Sequence, residues 1–528
     1  MATPVLQGRE PAPAAAAPAG GRARSTWPVI AGPAALAAIL TFTSITGRSL
    51  GFDEGATVAI ASQHGSALWA GIAHDGGNMS GYYLLLHVLI GTFGNGLLVL
   101  RIVSGLAVVA TAALVALIGR RLFSASVALA GGTLAAVSLP LIYWGQTARA
   151  YAPMVAFVCA GFAAFIELCD PPGRRPGRWA WLGYVAAMTV AMYCSFVAVL
   201  VVPAQLLVLV HRRRAWRAVG SALGAIAVMS LPLVVLAVRR GSGQLFWVPR
   251  PNRMVETQVL QSLTSGGLTP SFHHTGTTYL LMWGTVAAIL ALVADAVVRR
   301  RRGEDTWGRT LLLAWSILPA ALTFLYSLVS QPIFEPRNVL VSTPAISLAL
   351  ATTVSGGRRQ RALATLGVVV VVGLRALQVV PAYGVSPEPW STVTAKVLSE
   401  SRPGDCIAFY PLDGRMAFQY YTARTPGGIQ RAPRSILPII PWSRVKSYVE
   451  EYATLSPTQV ARRTGACDRL WLVSSHEGQP DGPVLSRAHR TAYFRLDAAL
   501  QAMFGLAPVH SYGYASTIHV QLLTIRRR

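Results

Sequence analysis

The chain has 528 residues, of which 53% are hydrophobic and only 13% are charged, a composition too apolar for an ordinary soluble protein. Lys and Arg number 46 against 21 acidic residues, which gives a formal net charge of +25. Nearly all of the cations are arginines, and many of these lie in short loops between apolar stretches. Such loops resist translocation, so the pattern disfavours a nucleic-acid-binding protein and predicts a multi-pass membrane protein.

The N-terminal part predicts a tail followed by an anchor. Residues 1–26 are rich in Pro, Ala and Gly and predict a disordered cytoplasmic tail. The apolar run 27–49 is long enough to cross a bilayer and has no A-x-A cleavage site after it, so it predicts an anchor. This run and ten further apolar runs together predict an α-helical multi-pass membrane protein with about 11 transmembrane helices. The further runs are about 98–119, 125–143, 147–168, 179–192, 194–210, 217–238, 277–298, 308–329, 337–354 and 362–382.

Loop charges orient these spans. With the N-terminus inside, five arginine-rich loops fall on the cytoplasmic side, as the positive-inside rule requires. Interpreting 179–210 as one long helix would move three of them outside, so two spans are predicted there. The loops end at Arg121, Arg178, Arg217, Arg309 and Arg361.

The run 81–94 is apolar but only about 14 residues long, which is short for a crossing. Counting it as a span would invert every later loop. It is therefore predicted to lie in the outer membrane interface, where Tyr82, Tyr83 and His87 suit headgroup depth.

From residue 383 onward, strand-like runs such as "CIAFY" and "IHVQLLTI" alternate with amphipathic helical stretches. This pattern predicts an extracytoplasmic α/β domain over 383–528, following a membrane domain over 27–382. Cys406 and Cys467 each precede a strand-like run, in a compartment that permits disulfides. Sequence does not supply their separation, so a bridge and two free thiols both stay open.

The predicted first outer loop, 50–97, contains three acids: Asp53, Glu54 and Asp75. Asp53 alone could simply cap a short helix. However, Arg101, Arg149 and Arg337 each begin a predicted helix on the same side of the membrane, and together with paired acids they suit a charged substrate at headgroup depth.

A lipid-phosphate-linked sugar is such a substrate. Arginines would hold the phosphate that leaves, and Asp53 or Glu54 would take the proton from the attacking hydroxyl as a general base. The neighbouring acid is expected to raise the pKa of the base by repulsion between like charges.

Several segments resemble the GT-C glycosyltransferases of the protein O-mannosyltransferase and lipid A aminoarabinose transferase type. They are the DE pair after the first span, "HDGGNMSGYYLLLH", "RIVSGLAVVATAALVALIGRRLF", "YWGQTARAYA" and "PIFEPRNVLVSTPA". The resemblance implies an inverting transfer of a sugar, with mannose as the first candidate, from a polyprenyl-phosphate donor. The acceptor would be an envelope glycan, lipid or protein, and the enzyme would lie in a bacterial cell membrane. The dominance of Arg, Ala and Gly in the composition further suggests a GC-rich genome.

The resemblance also implies roles for individual residues. Asp53 would be the base with Glu54 supporting it, and the family commonly has an acid where Thr147 stands and a tyrosine where Asn338 stands. The residues assigned to substrate binding are Asp75, Tyr82, His87, Arg101, Arg149, Tyr151 and Arg337.

Four alternatives stay open. His64, His74 and His87 could bind a divalent metal with Asp75, although their spacing fits no metal motif and no metal is predicted. Arg375, within the last span, either extends to the membrane boundary or contacts the donor phosphate. A flippase of lipid-linked saccharides would also need many spans and interfacial arginines, and a catalytically inactive envelope scaffold is a further possibility.

Overall fold

The structure, a computed structural model, describes residues 27–525 except 170–176, 242–244, 246, 265–275, 356–357, 449–451, 481, 506 and 514–516. The predicted tail, 1–26, lies outside the described residues.

The described chain up to residue 382 is helical. Its helices are α1 (Trp27–Phe42), α2 (Phe52–Ala61), α3 (Gly65–His74), α4 (Ser80–Phe93), α5 (Leu97–Leu122), α6 (Ala125–Ala136), α7 (Leu139–Gly145), α8 (Tyr151–Leu168), α9 (Arg178–Cys194), α10 (Val202–Leu209), α11 (Trp216–Met229), α12 (Leu231–Arg240), α13 (Arg253–Thr264), α14 (Gly276–Arg301), α15 (Trp307–Val329), α16 (Thr343–Thr352) and α17 (Arg358–Ala382).

Each of the eleven predicted spans coincides with a helix, a bent helix pair or a helix extended by a 3-10 turn. Among the described residues, five helices are long and apolar enough to cross a membrane, or seven if each of two bent pairs forms one span. The bends are 57° between α6 and α7 and 49° between α11 and α12. Both follow from a proline near the start of the second helix, Pro140 or Pro232, because proline breaks the backbone hydrogen bonding. The number of crossings stays a prediction.

One large apolar core joins these helices, with side chains from α1, α4, α5, α6, α8, α9, α15 and α16. Glycine allows close approach at the crossing of α1 and α6: a Cβ on Gly132 would lie 2.8 Å from the ring of Pro33. Helix α4 packs Tyr82, Tyr83 and Leu86 inward. Its position in a membrane interface stays a prediction.

The chain after residue 383 contains a five-stranded sheet of order β2-β1-β3-β5-β4, in which β1 is parallel to β2 and β3, and β5 is antiparallel to β3 and β4. Strands β1 and β3 are almost fully buried, as expected for strands covered on both faces. We call this part the C-terminal domain. Its elements are α18 (Trp390–Glu400), β1 (Cys406–Tyr410), α19 (Gly414–Thr422), α20 (Gly428–Arg431), β2 (Arg434–Leu437), α21 (Pro457–Thr464), β3 (Arg469–Ser474), α22 (Val484–Phe504), β4 (His510–Tyr512) and β5 (Ile518–Thr524).

Cys406 and Cys467 form a disulfide, with their Cα atoms 5.6 Å apart. This distance follows from the sheet, because β1 and β3 are neighbours and Cys406 is in register with Leu470. The bridge therefore joins the first residue of β1 to the segment just before β3.

The C-terminal domain is packed directly on the predicted first outer loop. A shared apolar cluster combines Leu50, Val58 and Leu100 with Trp390 and Phe418 of the domain. Helix α2, which carries the DE pair, thus lies between the helical part and the C-terminal domain.

Candidate active site

The DE pair begins helix α2, and its two carboxylates have different surroundings. Successive residues of an α-helix point about 100° apart, so neighbouring side chains face different parts of the molecule. Glu54 is buried, with 6% of its side chain exposed, whereas 47% of the Asp53 side chain is accessible.

Glu54 is held by Arg101 in a buried, bidentate ion pair. Nε and Nη2 of Arg101 donate to the two carboxylate oxygens, each at 2.9 Å. The remaining donors of Arg101 reach backbone carbonyls, including that of Ile45 at 2.9 Å. Glu54 also accepts from the backbone N–H groups of Ala148 at 2.7 Å and Gly51 at 3.1 Å. This pair joins α2 to α5 and to the turn before α8, so it is part of the framework.

This geometry bears on the expected roles of Arg101 and Glu54. Arg101 is 1% exposed and Glu54 is 4% exposed. Both use their polar atoms on each other and on the backbone, and neither faces a surface that a substrate can reach. The structure therefore places both in the framework, which is compatible with the expected support of Asp53 by Glu54. Substrate binding by Arg101 stays a prediction that these contacts do not favour.

Asp53 meets the two other arginines. Its Oδ2 lies 2.9 Å from Nη1 of Arg337 and 3.8 Å from Nη2 of Arg149. Arg149 also donates to Oγ1 of Thr57, one turn along α2, at 3.2 Å. Nε of Arg149 is buried and has no hydrogen-bond partner in the described part of the chain. We call Asp53, Arg149 and Arg337 the acid–arginine cluster.

Aromatic rings border this cluster. The guanidinium carbons of Arg149 and Arg337 lie 5.9 Å and 6.0 Å from the ring centre of Tyr151. Arg337 also stacks 4.4 Å from the ring of Trp247, a residue that the sequence analysis did not single out. Such contacts fix the guanidinium planes without using their N–H donors.

Burial by itself would raise the pKa of Asp53, but the charges of Arg149 and Arg337 outweigh burial and lower this pKa to about 2. The expected rise caused by Glu54 is therefore wrong, because Arg101 neutralises that neighbour. Asp53 is ionised throughout the neutral range. The cluster holds two positive charges and one negative charge, so it has an excess of positive charge next to an accessible carboxylate.

The other predicted substrate-binding residues make contacts of different kinds. The hydroxyl of Tyr83 donates to Asp75 at 2.7 Å. Tyr82 is 1% exposed and its hydroxyl lies 3.1 Å from Oγ of Ser104, which favours a packing role over the predicted substrate contact. His87 lies 2.9 Å from the carbonyl of Ala61 and therefore joins α4 to α2.

The metal alternative finds no support in the described part of the chain, where no group of three or more His, Cys, Asp or Glu side chains is placed to hold an ion. The rings of His64 and His87 pack edge to face at 5.1 Å, and that of His74 packs on Tyr448 at 5.0 Å.

Arg375 is 3% exposed and donates to the carbonyls of Thr264 at 2.7 Å and Leu134 at 3.2 Å. Its guanidinium lies inside the protein, which does not support the interpretation that it extends to the membrane boundary. Its contact with a donor phosphate stays a prediction.

The two departures from the family pattern have local explanations. Thr147 donates to the carbonyl of Tyr143 at 2.7 Å, and the amide of Asn338 donates to the carbonyl of Ile333 at 2.8 Å. Both side chains stabilise the turns that carry Arg149 and Arg337. A turn-forming residue at these positions is compatible with the geometry of the cluster.

Residues 79–238 match the family described as dolichyl-phosphate-mannose-protein mannosyltransferase. The fold resembles ArnT from Cupriavidus metallidurans bound to undecaprenyl phosphate, with TM-score 0.51 and 13% identity over 94% of this chain and 98% of that one. It also resembles the oligosaccharyltransferase AglB from Archaeoglobus fulgidus in complex with an inhibitory peptide and a dolichol-phosphate, with TM-score 0.53 and 13% identity over 94% of this chain and 74% of that one. The chain has a GT-C fold. A search of curated proteins found no match.

The resemblance to GT-C glycosyltransferases predicted from the sequence is thus confirmed. The matched region, 79–238, covers α4 to α12 and includes Arg149 and Tyr151 but neither Asp53 nor Arg337. The roles of the cluster residues therefore depend on the geometry.

Proposed function

We propose that the protein is a membrane glycosyltransferase that moves a sugar, with mannose as the first candidate, from a polyprenyl-phosphate donor to an acceptor hydroxyl outside the cytoplasm. The observation that carries the proposal is the acid–arginine cluster. An accessible carboxylate lies against two guanidinium groups that come from distant parts of the chain. The family match and the shared fold support the same class of donor.

The two arginines are the proposed phosphate-binding groups. Each guanidinium can bind two phosphate oxygens, and the buried Nε of Arg149 supplies a donor that has no partner in the described part of the chain. Their excess positive charge stabilises the phosphate as it leaves with a second negative charge.

Asp53 is the proposed general base. The acceptor oxygen attacks the anomeric carbon, the bond from this carbon to the phosphate oxygen breaks, and the acceptor proton passes to the Asp53 carboxylate. The lipid phosphate leaves on the opposite side of the sugar, so the anomeric configuration inverts. Substrate binding thus places the donor phosphate on the arginines and the acceptor on the carboxylate.

A carboxylate with a pKa of about 2 is a weak base. The bound phosphate would compete with Asp53 for Arg149 and Arg337. As the arginines turn toward the phosphate, the pKa of Asp53 rises and the carboxylate becomes a better base. Donor binding and base activation are thereby linked, which disfavours reaction before the donor is in place.

The test compares wild type with Asp53→Asn after purification into lipid nanodiscs. Each protein is incubated with radiolabelled polyprenyl-phosphate mannose and a cell-envelope extract, and incorporation of label is measured. Asp305→Asn is the matched control, because Asp305 also pairs with an arginine, Arg212, at 2.6 Å. We expect incorporation by wild type and the control, and its loss in Asp53→Asn.

Two results would contradict the proposal. Equal incorporation by wild type and Asp53→Asn would exclude Asp53 as the base. No incorporation with any polyprenyl-phosphate sugar, combined with movement of such lipids across liposome membranes, would indicate the flippase instead.

A further inference from the structure

The base-carrying helix α2 begins with a contact to the C-terminal domain. The first N–H groups of a helix lack partners within it, and Gly51, at the N-cap of α2, has no side chain that could supply one. Oε2 of Glu388 accepts from the backbone N–H of Phe52 at 2.5 Å. A carboxylate distant in sequence therefore caps α2 at the residue before Asp53, where the helix dipole favours negative charge.

A second group of the C-terminal domain contacts the same residue. The ring of His476 packs 4.4 Å from that of Phe52, and its Nε2 lies 3.5 Å from Oε1 of Glu388. His476 follows β3 and has a φ of 51°, which is uncommon for a residue other than glycine. The hydroxyl of Tyr452 donates to the His476 carbonyl at 3.2 Å. The surrounding structure thus holds His476 in a strained conformation that directs it at Phe52.

The other side of α2 is also in close contact with the domain. A Cβ on Gly55 would lie 2.9 Å from the backbone nitrogen of Ala417 in α19. Backbone atoms cannot move aside as a flexible side chain can, so the absence of a side chain at Gly55 sets the distance between α2 and α19. Helix α2 is therefore fixed by the C-terminal domain both at its first residue and along its side.

We propose that the C-terminal domain positions the base: Glu388 and His476 hold Phe52, and with it Asp53, between Arg149 and Arg337. This inference rests on the proposed function. Glu388 and His476 are positioning residues, because their closest contacts here are with Phe52 and with each other. The domain thereby has a role in the reaction beyond covering the site.

Two pairs of variants separate positioning from general stability. Glu388→Ala removes the acceptor for the Phe52 N–H, whereas Glu388→Gln keeps an oxygen there. His476→Ala removes the ring that packs on Phe52, whereas His476→Phe keeps a ring. We expect each alanine variant to lower kcat about 10- to 100-fold, since a displacement of about 1 Å has effects of this size. The KM for polyprenyl-phosphate mannose and the affinity for undecaprenyl phosphate should stay unchanged, and the conservative variants should restore most of the rate.

The matched control is Glu400→Ala, which removes a carboxylate of the same domain that pairs with Lys396 at 2.7 Å. It should keep the wild-type rate. A wild-type kcat in both alanine variants would overturn the inference. Equal losses of kcat in the alanine and conservative variants would also overturn it, and so would a loss of undecaprenyl phosphate binding that parallels a lower Tm.

The outcomes also distinguish this inference from the proposed function. If wild type transfers sugar and Asp53→Asn does not, while the alanine variants of Glu388 and His476 are fully active, only the positioning role is wrong. If wild type transfers no sugar, the proposed function and the positioning role are both wrong.

Discussion

Asp53 and Glu54 are neighbours in sequence and belong to two different regions of the molecule. Glu54 lies in the interior, where Arg101 and two backbone N–H groups satisfy its oxygens. Asp53 remains accessible and has two arginines on one oxygen. A buried, fully paired carboxylate serves the framework, whereas an accessible carboxylate with excess positive charge beside it can exchange its partners for a substrate. The same functional group, a carboxylate, thus has different roles at two successive positions of helix α2.

The largest expected effect is on sugar transfer, which should depend on Asp53 and much less on Glu54. We expect Asp53→Asn to lower sugar transfer about 10²- to 10⁴-fold, the usual contribution of a positioned base. Its unfolding temperature should fall less than that of Glu54→Gln, because the Asp53 side chain is accessible and solvent screens its ion pairs with Arg149 and Arg337. Transfer rates and thermal unfolding of the same preparation test this. A Tm lowered as much as in Glu54→Gln, with a proportionate loss of transfer, would place Asp53 in the framework instead.

The buried pair of Glu54 and Arg101 should instead affect the stability of the fold. Glu54→Gln leaves the Arg101 charge buried without its partner, which should lower the free energy of unfolding by about 3–5 kcal/mol. The double variant Glu54→Leu/Arg101→Met should lose less than the sum of the single changes, because no charge is left unpaired. Unfolding in detergent with increasing denaturant measures both. Additive losses would indicate that the two residues act independently.

The arginines of the acid–arginine cluster should contribute to donor binding. Arg337→Ala removes a charged donor, and we expect it to weaken undecaprenyl phosphate binding about 10- to 100-fold. The change in Tm caused by added undecaprenyl phosphate measures the affinity. Arg121→Ala is a matched control, since Arg121 pairs with Glu167 at 3.5 Å. Equal affinity in Arg337→Ala and wild type would exclude Arg337 from the phosphate site.

The smallest effect concerns pH. The pKa of Asp53 in the folded protein is lowered to about 2, so its carboxylate is protonated only as the pH falls through that value. The pH profile of kcat/KM should therefore show no decline caused by Asp53 near neutrality. Arg337→Gln removes one of the charges that lower this pKa and should shift the decline caused by Asp53 upward, toward the ordinary value of 3.8. Rates measured between pH 3 and 8 test the direction. A decline that does not move would mean that Arg337 does not act on Asp53.

Much of the helical architecture could be predicted from apolar runs and loop charges, because a bilayer requires long apolar helices and arginines resist translocation. The predicted spans coincide with helices, and the strand-like runs after residue 383 became β1, β3 and β5. The bends at Pro140 and Pro232 are not visible in the hydropathy pattern. They could have been anticipated from proline alone.

The candidate site was predictable only in part. Asp53, Arg149 and Arg337 were selected because they share one predicted side of the membrane. The same argument selected Arg101 and Glu54, since loop position does not show which side chains turn inward. Glu388, His476 and Trp247 were missed because nothing local distinguishes them. Their contacts with Phe52 and Arg337 bridge distant parts of the chain.

The sequence by itself determined a largely helical membrane chain, the presence of a strand-containing C-terminal domain and the residue types available near the first loop, because hydropathy and charge act locally along the chain. Only the tertiary structure decided which acid pairs with which arginine and how the C-terminal domain meets helix α2. The physical reason is that an ion pair and a helix cap depend on distances of about 3 Å, and these are set by packing between segments far apart in sequence.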